Sequence, residues 1–150
     1  MKHIQRETNF HSLLESLADF RYELRRFVHF SERAALEAGL HPQQHQLLLQ
    51  VAGARSGVAV TIAYAAERLG LKHNSTVELV DRSEREGLLT RAADPDDRRR
   101  AMLAMTSKGR RLLDRLSSDH AKELQERAPR LIQALEQVSS HATIDAGMET

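Results

Sequence analysis

Cysteine is absent from this 150-residue chain, which excludes disulfides, thiolate zinc sites and any cysteine redox switch. Tryptophan is absent too, and aromatic residues reach only 4%, so the core has to be packed chiefly through leucine and alanine on helices. No apolar run is long enough to cross a bilayer, and Met1-Lys2-His3-Ile4-Gln5-Arg6 lacks the apolar centre of a signal peptide. A cytoplasmic location without membrane contact is expected. No glycine-rich phosphate loop, nucleophile elbow or paired-carboxylate arrangement occurs, so neither catalysis nor a cofactor is expected.

What is present suits one soluble globular unit. Hydrophobic residues make up 41% and charged residues 29%, and 150 residues support one real core but not two independent domains of ordinary size. The net charge is only +1 and excludes nothing; its distribution is more informative. From Arg98 to Arg111 there are six basic residues (Arg98, Arg99, Arg100, Lys108, Arg110, Arg111) and no acidic one, while acids gather in Asp94-Pro95-Asp96-Asp97. A local positive patch on a neutral protein is what a phosphate backbone requires.

Periodicity divides the chain into helices around one hairpin. Phe10, Leu13, Leu14, Leu17, Phe20, Leu24, Phe27 and Val28 recur at spacings of three and four, predicting a helix from about Asn9 to Ala38, stopped by Gly39. Its apolar stripe exceeds what one short partner helix covers, so a second chain is the natural partner. Pro42 opens a helix to about Ala54 with Leu47, Leu48 and Val51 buried. After the Arg55-Ser56-Gly57 turn, Thr61 caps a short helix closed by Gly70. Lys72-His73-Asn74-Ser75 opens the next, with Val77, Leu79 and Val80 inward and its end at Gly87. Two short helices around a tight turn are the layout of a helix-turn-helix. Leu88–Arg91 and Ala101–Met105 then read as two strands, with Asp94-Pro95-Asp96-Asp97-Arg98-Arg99 as the charged tip. Thr106 caps a helix carrying Leu112, Leu113, Leu116 and Leu124. Pro129 opens a last one with Leu131, Ile132, Leu135 and Val138, and the tail after about Ser140 is expected to fray.

The run Gly87-Leu88-Leu89-Thr90-Arg91-Ala92-Ala93-Asp94-Pro95-Asp96-Asp97-Arg98-Arg99-Arg100, closed by Leu103-Ala104-Met105-Thr106-Ser107-Lys108-Gly109, resembles the wing of the MarR family of bacterial transcriptional regulators. Upstream, Ala66-Glu67-Arg68-Leu69-Gly70-Leu71 and Leu79-Val80-Asp81-Arg82 extend the resemblance, which covers about residues 40 to 116. The expected fold is mainly α with a small β-wing. The resemblance implies that the whole chain, 1–150, is a single MarR-like unit, with a winged helix-turn-helix lobe at 40–106 and dimerisation helices at 9–38 and 107–140. The resemblance implies a homodimer on one DNA duplex, and regulation that is usually repression relieved by a small organic, phenolic or anionic, effector. Without cysteine, the peroxide-sensing thiol used by some relatives is excluded.

In that arrangement the helix beginning near His73 enters the major groove. Asn74, Ser75, Glu78 and Arg82 share one side of it; asparagine suits adenine, arginine guanine, and glutamate the cytosine amino group. Many relatives carry a basic or neutral residue where Glu78 stands, which points to base selection rather than phosphate attraction. Arg98 or Arg99 reaches the minor groove, Asp97 orients a wing arginine, and Arg100, Lys108 and Arg110 contact phosphates. Phe20, Leu24, Phe27, His45 and Leu48 are candidate walls of an effector pocket, and serve equally well as plain core. His41 and His45 stand at i, i+4, but with no nearby carboxylate at ligand spacing they are read as cap and surface polarity rather than a metal site. The competing function is a protein-interaction module on a winged-helix scaffold that binds no operator.

Overall fold

The computed structural model describes residues 1–146, with side chains for all of these except residues 2, 3, 5, 6 and 142–146. Among the described residues, five helices, α1 (Lys2–Glu37), α2 (Pro42–Ala52), α3 (Ile62–Leu69), α4 (His73–Arg85) and α5 (Ser107–Ala146), accompany two strands, β1 (Leu89–Ala93) and β2 (Ala101–Met105). The strands pair antiparallel, from Leu89 opposite Met105 to Ala93 opposite Ala101. The fold is mainly α with a small β-wing. Two compact units divide within both long helices: Met1–Ser31 with Asp119–Thr150, and Glu32–Ser118.

The Glu32–Ser118 unit holds the principal core, where Leu47, Leu48, Leu79, Leu88, Leu89 and Leu116 are essentially inaccessible to water. Each leucine so buried contributes about 1.5–3 kcal/mol relative to an exposed one. Helix ends follow the chemistry of their sequence. His41 Nδ1 accepts from Gln43 N, and Gln44 Oε1 accepts from His41 N at 3.0 Å, forming a capping box ahead of Pro42. Buried Gln44 also donates to Glu86 Oε2 at 2.8 Å, linking the start of α2 to the end of α4. Thr61 Oγ1 caps α3 through Tyr64 N, and Gly70, at φ 64°, ends it in the left-handed region.

Several expectations are corrected. The segment before α3 joins the wing, because Val60 O accepts from Leu103 N at 2.7 Å and Thr61 bridges Met102. On α4 the fully buried residues are Thr76, Leu79, Val80 and Ser83, while Val77 is only half-buried. The two hydroxyls tolerate burial by donating to the carbonyls of Lys72 and Leu79. Instead of two helices there is one, α5, with Pro129 inside it, reaching past the expected fraying point to Ala146; residues 147–150 lie outside the described part. A mid-helix proline costs about 3 kcal/mol, but here Arg127 and Arg130 on either side pair with Glu23 of α1, and Ala134 one turn on is buried.

α1 begins at Lys2 rather than near Asn9. Within the Met1–Ser31 and Asp119–Thr150 unit, the positions of α1 that are most buried are Ser16, Glu23 and Ser31, not the apolar stripe. Ser16 donates to the Ser12 carbonyl, Ser31 Oγ lies 2.8 Å from His120 Nε2, and Glu23 pairs with Arg127 at 3.5 Å and Arg130 at 3.7 Å. A buried carboxylate requires such pairing. The stripe itself stays in contact with water: Phe10 is 60% exposed, and Leu14, Leu17, Leu24 and Val28 are exposed as well.

Candidate nucleic-acid interface

α4 presents one polar side because its other side is committed to the core. Asn74, Ser75 and Glu78 are exposed. Arg82 is half-buried, and its Nε is buried without a hydrogen bond. Lys72 at the N-cap offers no side-chain cap, so the first amide groups of this helix are not closed off by the residue before it.

The hairpin tip is built on Asp94, which the sequence marks as a turn former but not as an anchor. Asp94 is 4% exposed; its Oδ1 accepts from Asp96 N at 2.9 Å and its Oδ2 from the Arg100 guanidinium. Its carboxyl is held below the usual carboxylate range, first by the Asp96 N–H and next by Arg100. Asp94 N also donates to the Arg100 carbonyl at 3.3 Å and Arg100 N to that of Asp97 at 3.2 Å. The tip is thus closed by backbone and side chain together. Asp97 accepts from Arg99 N at 3.0 Å and lies 3.9 Å from Arg99 Nε, whose side chain is 96% exposed. Arg98 is exposed too.

The expected phosphate contacts fare unequally. The Arg100 guanidinium pairs through Nε with Asp94, while 47% of its side chain stays exposed. Lys108 Nζ donates to the Glu86 carbonyl at 2.8 Å, so it ties the start of α5 to the end of α4. Arg110 is exposed and borders a cavity of about 450 Å³ with Val51, Leu103, Met105 and Arg111. Thr106, which caps α5 through Gly109 N at 3.0 Å, also donates to the Gly87 carbonyl at 2.6 Å.

A residue missed in the sequence is Arg91. From β1 it pairs with Asp81 and, at 2.7 Å, with Glu84, both on α4. Its separation from them along the chain gives no helical or cross-strand signal. Asp94, by contrast, is legible as a turn former beside Pro95; only its pairing with Arg100 is not.

The five candidate pocket residues divide between the two units: Phe20, Leu24 and Phe27 in one, His45 and Leu48 in the other. Phe20 and Phe27 are half-buried, Leu24 is exposed, and His45 and Leu48 are buried. His41 serves as the N-cap of α2, and among the described residues no group of three or more histidine or acidic side chains could hold a metal ion. No helix among the described residues is long and apolar enough to cross a membrane.

Residues 38–100 match the sequence profile of the MarR family. The matched segment is similar to that family and has the fold of a winged helix. Among curated proteins none matches the chain, but solved MarR-family structures do. A MarR family transcription regulator matches over 99% of both chains at 18% identity, with a TM-score of 0.71. CouR from Rhodococcus jostii RHA1, bound to p-coumaroyl-CoA, matches at 24% identity over 83% of this chain and 86% of its own, with a TM-score of 0.62. A variant of S. aureus MepR bound to an oligodeoxyribonucleotide matches at 19% identity over 87% and 95%, with a TM-score of 0.61. By fold, α3 and α4 have the layout of a helix-turn-helix, and β1, β2 and the tip between them that of a wing.

Proposed function

We propose that this protein is a homodimeric transcription regulator that binds a pseudo-palindromic operator and represses from it. The observation that carries the reading is the conjunction, in one compact unit, of an exposed polar side on α4 and an arginine-bearing tip pinned from within. Asn74, Ser75, Glu78 and Arg82 read base edges in the major groove, and each good contact contributes about 1–3 kcal/mol of discrimination. Arg98 and Arg99, whose side chains project from the anchored tip, enter the minor groove. Asp97 orients Arg99, and Arg110 is the phosphate contact best placed among those expected, with Lys108 and Arg100 contributing charge from tethered positions. The segment 40–106 acts as the DNA-binding lobe, and the long helices outside it as the dimerisation element. CouR and MepR, whose fold this chain shares, are each known in a DNA-bound form, which supports the same use of the fold here.

Dimerisation is supported by the water-exposed apolar stripe of α1 and by exposed Leu124, Ile132 and Leu135 on α5. Contiguous apolar surface of this kind marks an association site, and a twofold dimer places two recognition helices about 34 Å apart on successive major grooves. A small organic effector releases DNA only if it binds the DNA-free form more tightly. No catalytic role is proposed, and the site of action is the cytoplasm.

The test is selection of bound duplexes from a random pool at two salt concentrations, with the oligomeric state measured in parallel. Enrichment of an inverted repeat supports the reading. Neutralisation of 6–10 phosphates makes affinity fall by about 10³–10⁵ between roughly 50 and 200 mM salt. A folded dimer that enriches no sequence and shows no salt-dependent binding would transfer the function to protein interaction.

A further inference from the structure

The helix assigned to the major groove carries three carboxylates, which is an odd inventory for a polyanion-binding element. With about 100° per residue, Asp81 lies about 20° from Asn74 and about 60° from Glu78 around the axis of α4. It therefore belongs to the same outward side, opposite buried Thr76, Leu79, Val80 and Ser83. Glu84 flanks that side. All three carboxylates keep contact with solvent, Asp81 and Glu84 with 44% and 37% of their side chains exposed. Unmatched, such a cluster opposes the approach of phosphates.

Two of the three acids are matched, and by the same side chain. Arg91 extends from β1 so that its Nη2 meets Asp81 Oδ1 and its Nε donates to Glu84 Oε2 at 2.7 Å. The guanidinium is planar and always charged, so one fork can serve two carboxylates at once. Those hydrogen bonds, to Asp81 first and Glu84 second, raise its pKa further. Of the two arginines on α4, Arg85 directs its Nε at the Asp81 backbone carbonyl rather than at a carboxylate, and Arg82 has its Nε buried without a hydrogen bond. Among the described residues, no other cation pairs with Asp81 or Glu84, and Glu78 forms no ion pair at all.

Resting on the DNA-binding reading above, we propose that Arg91 is a charge mask for the recognition helix, a positioning residue that cancels Asp81 and Glu84 from the neighbouring strand. The mask serves two ends. It removes repulsion that would otherwise act on phosphates either side of the groove, and it leaves Glu78 as the one unmatched carboxylate of α4, able to accept from a base amino group. It also fastens α4 to the wing, so that both DNA-reading elements share one reference frame. Arg91 need not touch DNA to do this, which separates it from Arg98 and Arg99.

A double-mutant cycle tests the mask: wild type, Arg91→Ala, Asp81→Asn/Glu84→Gln and the triple variant, titrated against the selected duplex by fluorescence anisotropy. For contacting residues, coupling of about tenfold is within the ordinary range. The expected result is that Arg91→Ala weakens binding by about that factor in the wild-type background and by less than about twofold once both acids are neutral. A control with Glu32→Gln/Glu37→Gln, exposed acids on α1, makes the same net-charge change and is expected to leave the full loss in place. Equal losses in both backgrounds, or no loss in the first, overturn the mask and make Arg91 a direct contact or a bystander. Melting curves exclude unfolding, and Arg91→Gln replaces the alanine variant should that one not fold. Wild type that binds no duplex removes the DNA-binding reading itself, a result distinct from a cycle without coupling.

Discussion

Asp94 and Arg100 face each other across the base of the wing tip, carboxylate to guanidinium, while the same carboxylate holds the backbone of Asp96. A tip of this length would otherwise sample many conformations, and ordering arginines at the moment of binding carries an entropic cost. The pair places that cost in folding instead.

Asp94 also sets a pH limit on the wing. Because its native pKa lies below the unfolded value of 3.8, its stabilising contribution is complete above that value and is lost as the pH falls through the native one. Amide exchange at Asp96 and Arg100, measured by NMR as protection relative to the intrinsic rate, is expected to be constant from neutral pH to about 4 and to fall only below it. Asp94→Asn is expected to lower protection throughout that range and to abolish the acid step. An acid step that survives in the variant would assign it to another carboxylate.

Arg98→Ala is expected to weaken DNA binding while the thermal melt stays unchanged. Since each neutralised phosphate contributes about 0.9 to the slope of log K against log salt, the slope should fall by about 1. Titrations at four salt concentrations measure it. A folded variant with wild-type affinity and slope would remove Arg98 from the wing contact.

Glu78→Ala should act differently, on selectivity more than on affinity. Repeating the duplex selection with this variant is expected to flatten the preference at one base pair in each half-site, a loss of about 1–3 kcal/mol of discrimination. An unchanged motif would place Glu78 outside the base-reading set.

Gly109 tests packing alone. It lies in the first turn of α5 against the end of the α4–β1 turn, and a Cβ there would sit 2.1 Å from the Leu88 carbonyl oxygen. Since that oxygen also accepts from Thr106 N at 3.2 Å, neither partner can give way without breaking the cap. Gly109→Ala is expected to destabilise by about 1–3 kcal/mol or more, read by urea denaturation; wild-type stability would mean that α5 can shift bodily.

Ile132→Asp should dissociate the proposed dimer without disturbing the winged-helix lobe, because Ile132 is 53% exposed in the single chain. Light scattering is expected to report the monomer mass with helical content retained. A dimer of wild-type stability would move the interface elsewhere.

Much of the architecture could be read in advance because it is local. Pro42, Thr61, Gly70 and Thr106 mark helix ends through backbone geometry and side-chain hydrogen bonds spanning a few residues, and each does so in the folded chain. The short extended runs Leu88–Arg91 and Ala101–Met105 around an Asp/Pro tip are equally local, and pair as β1 and β2. Pro129 misled because its local preference for a helix start was overridden by the ion pairs around Glu23. The third partner of the wing, Val60 with Thr61, was illegible for a related reason: two residues carry no periodicity, and only Leu103 and Met102 reveal the pairing.

By itself, then, the sequence determined the order of helices and strands, their caps, the charge of the wing and the family it resembles, all encoded in residues close together along the chain. Tertiary structure alone decided which charges remain available. Arg98 and Arg99 stay exposed, whereas Arg100 and Arg91, of the same type and a few positions away, are matched by Asp94, Asp81 and Glu84. The reason is physical. An arginine's partner is chosen by distance in space, and a hairpin folded against a helix brings together carboxylates and guanidiniums that no spacing along the chain identifies.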